Sequence, residues 1–129
     1  MSVLEYAVSV LAVPQLVICG HTGCGGVAAA CACEPTALRP VDAHITPLRA
    51  LYDAHRGELA SIEPFTARID RLVQLNVMAQ AEALAALSVI REAASPPRLH
   101  GLIDTTVSGL LETVCEHADD VRTPVAVAA

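Results

Sequence analysis

The chain has 129 residues, 53% of them hydrophobic, enough for one domain with a packed core. Eight arginines and no lysine stand against fourteen acidic residues, a formal net charge of −6, which argues against nucleic acid as a partner. No apolar run approaches the roughly 18 residues of a membrane span, Glu5 replaces the basic start of a secretory signal, and five cysteines without a paired spacing fit a reducing, cytoplasmic compartment.

Ser2-Val3-Leu4-Glu5 has the form of a capping box, with a hydroxyl at the N-cap and a carboxylate at N3. Leu4, Ala7, Val8 and Leu11 follow as one apolar stripe at helical spacing, and Pro14 ends the helix. Leu16-Val17-Ile18-Cys19 shows no alternation, which predicts a parallel strand buried on both faces. Gly20, Gly23, Gly25 and Gly26 let the backbone turn at the strand's C-terminal end. Open α/β sheets keep their chemistry in the crevice there, and His21 and Cys24 fall into it.

An imidazole nitrogen and a thiolate are both zinc ligands, and two intervening residues let both reach one ion. Protein zinc usually takes three or four protein ligands, so the pair also reads as a loop histidine beside a small buried cysteine. A glycine-rich strand–loop–helix could instead cradle phosphate on backbone N–H groups between Gly20 and Gly26. The lack of lysine excludes a P-loop, and G-x-G-x-x-G does not occur.

Val27 to Cys33 reads as a short Ala-rich helix and Glu34 to His44 as loop. Thr46-Pro47 supplies an N-cap followed by proline at N1, Leu48, Leu51 and Tyr52 give the apolar face, and Gly57 closes that helix. A longer helix covers roughly Thr66 to Ala86, with Ile69, Leu72, Val73, Val77, Leu84 and Leu87 as its stripe. A further turn covers Val89 to Ala93, with Ser88 as its start, and Ser95-Pro96-Pro97 breaks the chain. Leu99 to Thr105 reads as a second strand, Ser108-Gly109 as a turn, and Leu110 to Val114 as a third strand or a helical end. Residues 1–115 form the expected single α/β domain and 116–129 a tail.

S-V-L-E-Y-A-V (2–8), L-V-I-C-G-H-T-G-C-G-G (16–26), I-T-P-L-R (45–49), L-N-V-M-A-Q (75–80) and L-H-G-L-I-D with S-G-L-L (99–111) occur in this order. In sequence and spacing they resemble the β-class carbonic anhydrases. The resemblance implies a helix-covered, mostly parallel sheet and a zinc held by two cysteines and one histidine, with water or an aspartate in the fourth position. It assigns His21 and Cys24 as two of the metal ligands and CO₂ and bicarbonate as the substrate pair. The family's first cysteine lies in a C-x-D-x-R motif on an earlier strand, with the aspartate–arginine pair that gates the metal and accepts the proton. That motif does not occur in these residues. The expectation is an N-terminally truncated member missing its first strands. The strand at Leu16–Cys19 then presents an open apolar edge that invites another chain, whether a copy in a homo-oligomer or a partner completing the sheet.

Other ligand candidates read differently. Cys31 and Cys33 lie roughly 10 Å beyond Cys24 along a helix and read as packing. Cys19 shares the face parity of His21 but reads as a small buried hydrophobe. His44 reads as a solvated loop residue, His55 as a helix-end dipole contact or plain surface, His100 as structural, and Cys115 and His117 as parts of the tail. Two functions follow from the whole. One is a zinc lyase that reversibly hydrates CO₂, with a third ligand from another chain, from Cys19 or from sequence not present here. The other is a catalytically impaired homologue acting as a zinc-binding or interaction subunit.

Overall fold

The computed structural model describes residues 3–32 and 38–117. Helix α1 (Val3–Ser9) leads into strand β1 (Gln15–His21), and α2 (Gly25–Cys31) follows after a three-residue loop. Then come α3 (Arg39–Ala54), α4 (Arg56–Ala60), α5 (Phe65–Ala85) and the short α6 (Ser88–Arg91). The antiparallel pair β2 (Arg98–Thr105) and β3 (Leu110–His117) ends the described chain. Ser2, Cys33 and residues 118–129, and with them the capping hydroxyl and the expected tail beyond 117, lie outside the described residues.

The sheet is three-stranded in the order β1-β2-β3. β1 and β2 run parallel, with Leu16 opposite Leu99 and His21 opposite Asp104. β2 and β3 run antiparallel, with a register break between Gly101 and Leu102. A strand that must return parallel needs a long crossover, and α2 to α6 supply it. The third strand is a true strand reaching His117, so Cys115, Glu116 and His117 belong to the sheet.

Helix α5 lies across all three strands. Ile69, Leu72, Val73, Leu75, Val77 and Ala81 are its buried residues, and Leu72 and Ala81 have no exposed surface. The apolar spacing that predicts this helix is the spacing of its buried face. Leu87 departs from it: the helix ends at Ala85, and Leu87 caps α6 with 43% of its surface exposed. Tyr52 of α3, Leu59 of α4, Val27, Ala30 and Cys31 of α2 and Ile103 of β2 pack with them in the core. Cys31 is therefore a packing residue, as its distance along α2 from Cys24 implies.

Gly20 is what lets α5 come close. A Cβ there would stand 2.8 Å from Val73 Cγ1 and 2.8 Å from Val77 Cγ2. Its place is inside β1, against a helix, not in the turn after the strand.

Burial on both faces of β1 does not hold. Leu16, Ile18 and Gly20 are half-buried on the α5 side, while Val17, Cys19 and His21 are exposed on the other. Among the described elements β1 meets only β2 and α5, so one face and one edge are open. Val17 is 57% exposed. Cys19 is thus exposed, not a buried hydrophobe.

The loop expected over Glu34 to His44 is helical from Arg39 onward. Pro40 falls in the first turn, where a missing N–H costs nothing. Thr46 Oγ1 does not cap a helix start; it donates to the Asp42 carbonyl at 2.9 Å from within α3, and the helix continues through Pro47. His44 is therefore an exposed helix residue. Gly57 lies within α4, after α3 has ended at Ala54. Helix α1 ends at Ser9, well before Pro14, and the chain turns at Ala12 with φ +48°. Leu11 leaves the expected stripe and is 58% exposed.

Candidate metal centre

The loop Thr22-Gly23-Cys24 joins the end of β1 to the start of α2, and every part of it is held. The Thr22 N–H donates to the Asp104 carbonyl at 3.0 Å, which continues the β1–β2 ladder one residue past the strand. Thr22 Oγ1 lies 3.2 Å from Thr106 Oγ1 and accepts the Thr106 N–H at 3.2 Å. Gly23 has φ +66°, a conformation that glycine adopts without a side-chain penalty. Its N–H donates to Asp70 Oδ1 of α5 at 3.0 Å. Cys24 then takes an extended conformation at the N-cap of α2, and its carbonyl accepts the Ala28 N–H at 2.9 Å.

His21 stands exposed at the end of β1, with Nδ1 3.1 Å from the Thr22 carbonyl oxygen. A carbonyl only accepts, so Nδ1 carries the proton and donates. In that tautomer the ring's lone pair is on Nε2, the arrangement that metal-binding histidines use. Cys24 is half-buried, rests against the core beside Ala28, and makes no side-chain cap.

His21 thus offers an imidazole nitrogen and Cys24 a thiol, both donor types that zinc takes, on a loop fixed at both ends. They do not complete a zinc centre. Among the described residues no three His, Cys, Asp or Glu side chains are arranged to hold a metal ion. Cys19 shares the exposed face with His21 but lies two residues back, about 6.6 Å along the strand, and its thiol donates to the Gly20 carbonyl at 3.4 Å.

The remaining candidates are elsewhere. His55 joins α3 to α4, with Nδ1 3.8 Å from Glu58. His100 pairs through Nδ1 with Glu116 at 3.1 Å across β2 and β3, the structural role expected of it. Cys115 faces the Gly101 position, and burial pushes its thiol above the ordinary range, with Glu82 and Glu116 adding to the shift.

Two N–H groups of the expected phosphate cradle are not open to an anion. The N–H groups of Thr22 and Gly23 are already taken, and Gly23 is taken by a carboxylate that would repel an anion. The sequence singles out His21 and Cys24 but not Asp70, Thr22 and Thr106, which hold the loop between them. Asp70 lies 47 residues from its partner, and its one local signal is an acid beside the buried Ile69 and Leu72.

A family model described as carbonic anhydrase matches residues 1–111. The carbonic anhydrase of Emericella nidulans is 36% identical over 115 residues, covering 87% of this chain and 50% of that protein. The carbonic anhydrase of Pseudomonas aeruginosa is 38% identical over 117 residues, covering 86% of this chain and 51% of that protein. The chain therefore spans about half the length of the curated relatives it matches. Among solved structures, one of two tetrameric β-carbonic anhydrases from Sordaria macrospora superimposes with a TM-score of 0.82 at 33% identity, covering 89% of this chain and 59% of that one. The β-carbonic anhydrase CafA of Aspergillus fumigatus gives 0.75 at 39% identity, covering 85% and 52%.

Proposed function

The chain belongs to the β-carbonic anhydrase family, and on that premise we propose that His21 and Cys24 are two zinc ligands of a centre that interconverts CO₂ and bicarbonate. The third protein ligand comes from outside the described residues. The observation that carries this reading is the His21 Nδ1 contact with the Thr22 carbonyl, 3.1 Å long, which leaves Nε2 as the metal-facing atom three residues from Cys24.

When bound, zinc supplies the Lewis acidity that makes water a nucleophile near neutral pH. The chain's own residues bind and orient. The Thr22 carbonyl fixes the plane and tautomer of the His21 ring, the ladder bond from Thr22 to Asp104 fixes the height of the loop, and the core under α2 fixes Cys24. The open face beside His21 gives a small neutral substrate access. No described residue is assigned the proton released in hydration.

The open edge of β1 and the tetramers of the Sordaria relatives support an oligomer, or a second chain that completes the sheet. The test is CO₂ hydration by stopped flow with added zinc. For the 129 residues alone the reading predicts a rate close to that of the His21→Ala variant. Rapid, zinc-dependent hydration by these residues alone would overturn the external third ligand.

A further inference from the structure

Asp70 is the point at which the long helix touches the candidate metal loop. It lies on α5 between Ile69, which is 7% exposed, and Leu72, which is fully buried, so its backbone is fixed by the core. Its Oδ1 accepts the N–H of Gly23, the residue between His21 and Cys24 that holds a left-handed backbone conformation. The other anchors of the loop come from β2 and act on Thr22. Asp70 alone, among the described hydrogen bonds, reaches Gly23, so it sets the direction in which the chain leaves His21 and arrives at Cys24.

We propose that Asp70 is a positioning residue for the metal pair: through the Gly23 N–H it fixes the spacing between the His21 ring and the Cys24 thiol. This rests on the reading of those two residues as zinc ligands. Groups that orient metal ligands at one remove typically change metal affinity by about 10- to 100-fold when removed. The carboxylate acts here as an acceptor, so an amide oxygen at the same place serves nearly as well.

The experiment is zinc affinity by competition with a chromogenic chelator, on the chain and its Asp70→Ala, Asp70→Asn, Ile90→Val, His21→Ala and Cys24→Ala variants, with the melting temperature of each. The Gly23 amide proton shift in the zinc-free protein is read beside it. We expect Asp70→Ala to weaken zinc about 10-fold or more and to move the Gly23 amide resonance upfield. Asp70→Asn should keep most of the affinity. Ile90→Val, which loosens packing away from the loop, should keep it as well.

Unchanged affinity in Asp70→Ala overturns the inference. So does an equal loss in Ile90→Val at a similar melting temperature, or a loss in Asp70→Asn as large as in Asp70→Ala. Absence of zinc binding in the unaltered chain, or binding indifferent to His21→Ala and Cys24→Ala, overturns the metal reading and this inference with it.

Discussion

Gly20 of β1 and Val77 of α5 meet with no room for a methyl group: a Cβ on the glycine would lie 2.8 Å from the valine Cγ2. Helix α5 therefore sits on the sheet at a distance set by hydrogen in place of carbon. Gly20→Ala should cost about 1–3 kcal/mol, the usual range for overpacking a core. In urea unfolding, Gly20→Ala combined with Val77→Ala should be less destabilised than the sum of the two single variants, because the second makes room for the first. Strict additivity would contradict the close approach.

Gly23 has a different reason for its side-chain absence. Nothing lies within 4 Å of a Cβ built there, yet its φ is +66°. Gly23→Ala should therefore cost about 1–2 kcal/mol through backbone conformation alone, and no neighbouring truncation should rescue it. Equilibrium unfolding of Gly23→Ala with and without Thr106→Ala checks this.

Leu72 is the centre of the core, with no exposed surface. Leu72→Ala should lose about 2–5 kcal/mol, visible as a lower urea midpoint, whereas Leu87→Ala, at a residue 43% exposed, should lose far less. Equal losses would mean that α5 packs on another face.

The thiols should react in order of exposure and ionisation. Cys19 is exposed, Cys31 is buried, and burial raises the thiol of Cys115 above its ordinary 9.0. At pH 8, iodoacetamide should label Cys19 ahead of Cys115, with Cys31 last, by timed mass spectrometry. The Cys115 shift also sets a direction for stability. The unfolded thiol ionises first as pH rises, so this residue's contribution is complete below about pH 9 and declines above it. Replacing Cys115 by serine should flatten that decline; a steeper one would contradict the shift.

Much of the fold was legible where a single periodicity decided it. The 3.6-residue spacing of Ile69, Leu72, Val73 and Val77 gave α5 and its buried face, and the apolar run at 16–19 gave β1. The same run misled on burial, because a hydrophobic strand records what its faces can tolerate and not which neighbours are present; Val17 and Cys19 face outward here. Thr46-Pro47 imitates a helix start, but the Thr46 hydroxyl bonds back to Asp42 inside an existing helix. His21 and Cys24 stand out in the sequence because their chemistry is local and their setting resembles a known family, and the structure places them on one loop between β1 and α2. Asp70 does not stand out, since nothing near position 70 records a contact 47 residues away.

Zinc affinity of the purified chain beside His21→Ala and Cys24→Ala measures most directly the proposed sharing of one zinc by His21 and Cys24. Weak but measurable binding is expected, falling at least about 10-fold in each variant, since each removes one of two ligands. Zinc held with equal affinity in either variant would contradict it.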